Sequence, residues 1–85
     1  DVDQKAGLVA YMRHIEALTA WTAENLHNSV YGVAHEAGIP AKKIFSALYL
    51  SFLGQERGPR LGWFLEALGR EFVLQRLTEA VDRFA

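Results

Sequence analysis

The densest run of chemically useful side chains lies in Gly54-Gln55-Glu56-Arg57-Gly58-Pro59-Arg60-Leu61-Gly62-Trp63-Phe64. A helix stop, a turn and a restart account for Gly54, Gly58 and Pro59. They do not account for Arg57, Arg60 and Trp63 at a helix start, where the macrodipole disfavours positive charge. Free backbone N–H groups at such a start, flanked by Arg57 and Arg60, are donors suited to phosphate oxygens or base carbonyls. Single-stranded loops are read by stacking splayed bases on aromatic or guanidinium planes and by hydrogen bonds to their edges. Tyr49, Arg57, Arg60 and Trp63 are side chains of that kind; for Tyr49 and Trp63 the competing reading is core packing. Gly62, which costs about 1 kcal/mol relative to alanine inside a helix, predicts close approach by a neighbouring helix or a ligand.

Other chemistries find less to work with. Glu24-Asn25-Leu26-His27 has the Glu-x-x-His spacing of carboxylate-bridged di-iron bundles, but such a site needs a second copy and two more glutamates, so a solvated helix pair is expected and no metal site. His14 and His35 stand at no ligand spacing with His27 and read as surface or boundary histidines. Ser29, Ser46 and Ser51 fall within helical patterns, without an elbow motif or an assigned base, so no catalytic residue is expected. Gly54, Gly58 and Gly62 lack the Gly-Lys-Ser/Thr ending of a phosphate loop, and the charges among them exclude a membrane helix pair. No cofactor site is expected.

The elements that must position the 54–64 run are helices. Leu8, Tyr11, Met12, Ile15 and Leu18 recur at helical spacing over residues 4–18, with Asp3 as a cap. Thr22 predicts the N-cap of a second helix, with Glu24 near its positive end, Trp21 closing over Leu26 as a staple, and Leu26, Val30, Val33 and Ala37 as its buried stripe. Gly38 ends it. Pro40 begins a third helix running to Leu53, whose apolar residues wrap more than one face and predict a central place in the bundle. Gly54 stops it, Pro59 begins a short helix through Leu68, and Gly69 precedes a last helix from Arg70 to about Phe84. That helix points Phe72, Val73, Leu77, Ala80, Val81 and Phe84 inward and Gln75, Arg76, Glu79, Asp82 and Arg83 outward. The expectation is an all-α bundle of five helices, with no strand.

Composition agrees. The chain has 85 residues, 51% of them apolar and 22% charged, which suits one folded domain rather than a disordered tail. A net charge of −1 excludes a chain-wide basic footprint. The charge is uneven: residues 1–39 sum to −3 and residues 40–85 to +2, so an anionic partner belongs with the C-terminal half. With no cysteine, disulfide frameworks, thiolate chemistry and common structural zinc sites are absent, and a reducing, cytoplasmic setting fits. No unbroken apolar run is long enough to cross a bilayer, so no membrane partner is expected. A chain that opens on Asp1 reads as a piece of a longer soluble protein.

The run from Ile44 through Gly62, followed by Phe64-Leu65 and Gly69-Arg70-Glu71-Phe72-Val73, resembles the C-terminal end of class I lysyl-tRNA synthetases, the Gly58-Pro59-Arg60 block being its specific part. The broader plan, with Trp21-Thr22-Ala23-Glu24, a helix ending at Gly38, Leu48 to Gly54, Pro59, Leu68-Gly69 and Arg76-Leu77, is similar to the anticodon-binding end of bacterial glutamyl-tRNA synthetases. The resemblance covers about residues 21–84. It implies an anticodon-binding helix cage spanning residues 1–85 as a single C-terminal domain, which binds the anticodon loop of a tRNA. It further implies a catalytic domain outside this chain, which would use ATP for aminoacylation in a lysine–tRNA ligase. Neither adenylate-forming signature is present: His14-Ile15 leads into Glu16-Ala17, and Lys42-Lys43 lacks a Met-Ser-Lys-Ser setting.

Matched block to block with the glutamyl relatives, Tyr49, Gly58, Pro59 and Leu61 stand at the positions that hold the second and third anticodon bases, with Arg57 and Arg60 beside them. Tyr49 departs from the arginine of the glutamyl pattern, which implies a different edge contact or stacking. For a uridine-rich lysine anticodon, backbone N–H groups at the helix start with Arg57 or Arg60 would serve the uracil carbonyls, and the Gly58 carbonyl would receive its N–H. The alternative is a protein-interaction module in which Trp63 and Phe64 anchor a partner helix or a second copy in a weak homo-oligomer.

Overall fold

The computed structural model describes residues 2–84, which fold into α1 (Val2–Glu16), α2 (Ala23–Ala37), α3 (Ala41–Leu53), α4 (Leu61–Leu68) and α5 (Arg70–Arg83), with no strand among the described residues. The helix punctuation follows residue chemistry. The Thr22 side chain accepts the Asn25 N–H at 3.2 Å, capping α2 as expected. At its other end the N–H groups of Gly38 and Ile39 both return to the Ala34 carbonyl, and Ile39 then enters the core.

α2 lies along α4, and α1 packs against α2, α3 and α5. One continuous core joins all five helices, with Tyr11, Leu26, Ile44, Leu65 and Leu77 fully enclosed. Tyr11 is its polar member. Its hydroxyl donates to the Leu26 carbonyl at 2.7 Å, and burial pushes the phenol well above its ordinary pKa.

Several expectations shift. α1 begins at Val2, so Asp3 lies in the first turn rather than at a cap, and pairs with Lys43 at 3.3 Å. Ala37 is exposed: the α2 stripe runs through Val33 and Ala34 before the chain turns, and Ile39 takes the inner place. α3 does touch α1, α2 and α5, yet Phe45, Tyr49 and Phe52 on its outer side stay half-buried. α4 starts at Leu61 with Arg60 as N-cap, leaving Pro59 in the turn before it. Phe72, expected inward, is 49% exposed, because Val73, Leu77 and Ala80 set the inner face of α5 and residue 72 falls about 100° away from it. Arg76, expected outward, is half-buried and pairs with Glu79 at 3.6 Å.

Candidate nucleic-acid interface

The seven residues singled out in sequence converge on the α3–α4 turn, in different ways. Tyr49, one turn before the end of α3, reaches across it: its hydroxyl donates to the Pro59 carbonyl at 2.5 Å and accepts the Leu61 backbone N–H. Partial burial raises the Tyr49 pKa, an effect that the Leu61 hydrogen bond opposes. Gly58 sits against this ring, where a Cβ would come within 2.9 Å of the Tyr49 Cδ1. The phenol therefore holds the backbone of 58–61 in one shape. Gln55 adds a second brace, its side-chain amide donating to the Arg57 carbonyl at 2.8 Å.

Leu61 turns its side chain into the core, where it is 1% exposed, so its contribution at the surface is backbone alone. Arg60 and Trp63 do the opposite. The Arg60 guanidinium carbon lies 5.4 Å from the centre of the Trp63 ring, which is 52% exposed. This cation–π contact answers part of the puzzle of a cation at a helix start, since it holds Arg60 at the surface without a carboxylate. Arg60 makes no side-chain cap bond, while the Leu61 N–H, the first of α4, is taken by the Tyr49 hydroxyl. Phe64, the other aromatic residue of the alternative reading, is half-buried and stands edge-on to Phe52 at 5.9 Å.

Gly62 explains how the turn is seated. A Cβ there would collide with the Ala23 carbonyl and reach 3.0 Å from the His27 Cβ, so the first turn of α4 presses directly on α2. Of the two readings of this glycine, the neighbouring helix is the correct one. Two further bonds fasten the pair: Glu66 accepts the Ala23 N–H at 3.1 Å, at the positive end of α2, and the Trp21 indole N–H donates to the Leu65 carbonyl at 3.3 Å. Trp21 also carries the Arg70 guanidinium over its ring at 5.1 Å.

The cations sort accordingly. Lys43 is paired with Asp3, and Arg70 donates to the Glu16 and Leu18 carbonyls at 3.4 and 2.6 Å. Lys42, Arg57 and Arg60 have no carboxylate partner among the described residues. Arg57 lines a groove with Lys42, Phe45, Ser46 and Glu56. Sequence reasoning did not bring Lys42, Phe45, His27 and Tyr31 together, and it expected His27 in a solvated pair with Glu24, whereas His27 is half-buried against Tyr31 and Phe45. The signal for them was spacing, since residues 42 and 45 share one helix face, as do 27 and 31.

Comparisons with known proteins supply the family. The family model described as "Anticodon binding domain" matches residues 2–81, and the chain belongs to that family. Similar curated proteins include the lysine–tRNA ligase of Thermoplasma volcanium, 37% identical over 75 residues that make up 88% of this chain and 15% of that protein. That of Archaeoglobus fulgidus is 37% identical over 79 residues, 93% of this chain and 16% of that protein. That of Thermococcus kodakarensis is 44% identical over 63 residues, 74% of this chain and 12% of that protein. The chain thus spans 11–17% of the length of the curated relatives it matches. No described helix is long and apolar enough to cross a membrane.

Proposed function

We propose that the chain recognises the anticodon loop of a tRNA as the single C-terminal helical domain of a lysine–tRNA ligase. The aminoacylation itself, driven by ATP, belongs to a catalytic domain elsewhere in that protein, and the setting is the cytoplasm. The observation that carries this reading is the braced 57–63 turn, where Arg60 lies over an exposed Trp63 at the start of α4. A rigid backbone, a flat cation and an exposed indole are what splayed bases need for edge contacts and stacking. Arg57, Gly58 and Pro59 are exposed on the same turn, while Tyr49 and Leu61 shape it.

The name shared by the relatives favours this over the protein-interaction module, and so does the half-burial of Phe64, which leaves Trp63 without its expected apolar neighbour. The test is a titration with a lysine anticodon stem-loop, beside the same hairpin with its second and third anticodon bases changed, at two salt concentrations. Salt-sensitive binding that the base changes weaken is the expected result; binding indifferent to both changes would overturn it.

A further inference from the structure

Beside the turn, a second set of side chains has the composition of a nucleotide seat. His27, Tyr31 and Phe45 form a closed triangle of rings, with centroids 5.6 Å apart for His27–Tyr31 and 5.7 Å apart for the other two pairs. The outer ring of the three, Tyr31, is 53% exposed. Within the triangle the His27 Nδ1 is buried and has no hydrogen-bond partner among the described residues. Phe45 continues from this cluster into the groove lined by Lys42, Ser46, Glu56 and Arg57.

The groove is polar in a specific way. Glu56 accepts from the Ser46 hydroxyl at 3.1 Å, and Ser46 in turn accepts from the Gln4 side-chain amide at 3.1 Å, so the carboxylate is held in place by a chain of two bonds. Lys42 and Arg57 flank it without a carboxylate partner. An aromatic face, two free cations and one oriented acceptor are complementary to a single kind of ligand group. A nucleotide brings a π face for the rings, a phosphate for Lys42 and Arg57, and an N–H edge for Glu56. A carboxylate repels phosphate, so its place is at the base edge. The cluster also adjoins the turn, since the first turn of α4 presses on α2 at His27.

We propose that Phe45 and Tyr31, with Lys42, Arg57 and Glu56 around them, form a second subsite that seats one further unpaired nucleotide of the bound RNA loop, through a base that offers an N–H to Glu56. The inference rests on the anticodon-loop reading and extends it beyond the 57–63 turn.

The experiment is a binding titration of the 85-residue chain and its Tyr31→Ala, Glu56→Gln and Lys42→Ala variants against the lysine anticodon hairpin. The same hairpin is also made abasic at each loop position in turn. Tyr31 and Glu56 lie at the surface, and thermal unfolding of each variant checks that the fold is kept. The subsite requires Tyr31→Ala to weaken the intact hairpin by about fivefold to a hundredfold, the range of one base–aromatic stack. Against a hairpin abasic at one particular position, the Tyr31→Ala and Glu56→Gln effects must both vanish. If these variants bind like the wild type while Arg60→Ala binds less, the subsite is refuted and the anticodon reading stands. A loss that persists equally at every abasic position would assign Tyr31 a structural role and refute the subsite. Failure of the wild type to bind any hairpin would overturn the anticodon reading and the subsite with it.

Discussion

The Tyr49 hydroxyl donates to the Pro59 carbonyl at 2.5 Å and receives the Leu61 N–H, so one phenol closes a turn that has no regular structure of its own. The ring is spent on shaping the 57–61 turn, which in the proposed reading makes Tyr49 a positioning residue for Arg57, Gly58 and Arg60. Tyr49→Phe keeps the packing against Gly58 and removes both bonds. Since this site is partly exposed, the fold should lose only about 1 kcal/mol, read from the denaturant midpoint. Affinity for the anticodon hairpin should fall by about five- to tenfold, because a looser turn must be ordered on binding. Unchanged affinity would show that the turn keeps its shape without the phenol.

Two glycines give opposite predictions for the same substitution. At Gly62 a Cβ would run into the Ala23 carbonyl, a backbone atom that cannot swing away, so Gly62→Ala should destabilise by roughly 1–3 kcal/mol through separation of α2 and α4. Gly32, in the middle of α2, has nothing within 4 Å of the same atom. Gly32→Ala should therefore stabilise by about 0.5–1 kcal/mol, from helix propensity alone. Urea unfolding of the pair measures both signs.

The helices were legible because their signals are local. Thr22, Gly38 and Gly54 mark ends through their own conformational chemistry, and Leu8, Ile15, Leu26 and Leu77 declare buried faces by spacing. Phe72 misled because apolar character within a helix does not say which direction a neighbour lies. The candidate site was half legible. Arg57, Arg60 and Trp63 stood out as residues misplaced for a simple turn, yet nothing local told a stacking Tyr49 from a bracing one. That depends on the distance from α3 to Pro59, which only the folded backbone sets. His27, Tyr31 and Phe45 come from two helices, and their meeting is a tertiary fact.

Tyr11 makes alkaline stability a test of the core. Its folded pKa lies above the ordinary value of about 10 because the phenol is buried, with its hydroxyl bonded to the Leu26 carbonyl. Below about pH 10 both states keep the proton and its contribution is complete. Above that the unfolded chain releases the proton first and binds fewer protons than the folded one, so stability falls as pH rises toward the folded pKa. Tyr11→Phe should be less stable at neutral pH by about 1–2 kcal/mol, through loss of the bond to Leu26. It should also fall less steeply between pH 9 and about 11. Tyr49, whose pKa is raised too, contributes a smaller slope of the same sign, so the comparison is cleanest in a Tyr49→Phe background. Parallel slopes with and without Tyr11 would mean that the phenol is reached by solvent in the folded state.

Arg60 and Trp63 share one contact but should fail differently. The guanidinium lies over the indole at 5.4 Å, so either the pair is a single stacking platform, or the cation meets a phosphate while the ring meets a base. Salt separates these roles, because each phosphate contact to single-stranded RNA contributes about 0.7 to the slope of log affinity against log salt, whereas stacking contributes none. With Arg60 on a phosphate, Arg60→Ala should weaken hairpin binding and flatten that slope by about 0.7. Trp63→Ala should cost about 1–3 kcal/mol in affinity and leave the slope unchanged. The double variant decides how they act together. Additive losses mean independent contacts with phosphate and base, and a loss no larger than that of Trp63→Ala alone means that Arg60 works by holding the indole in place.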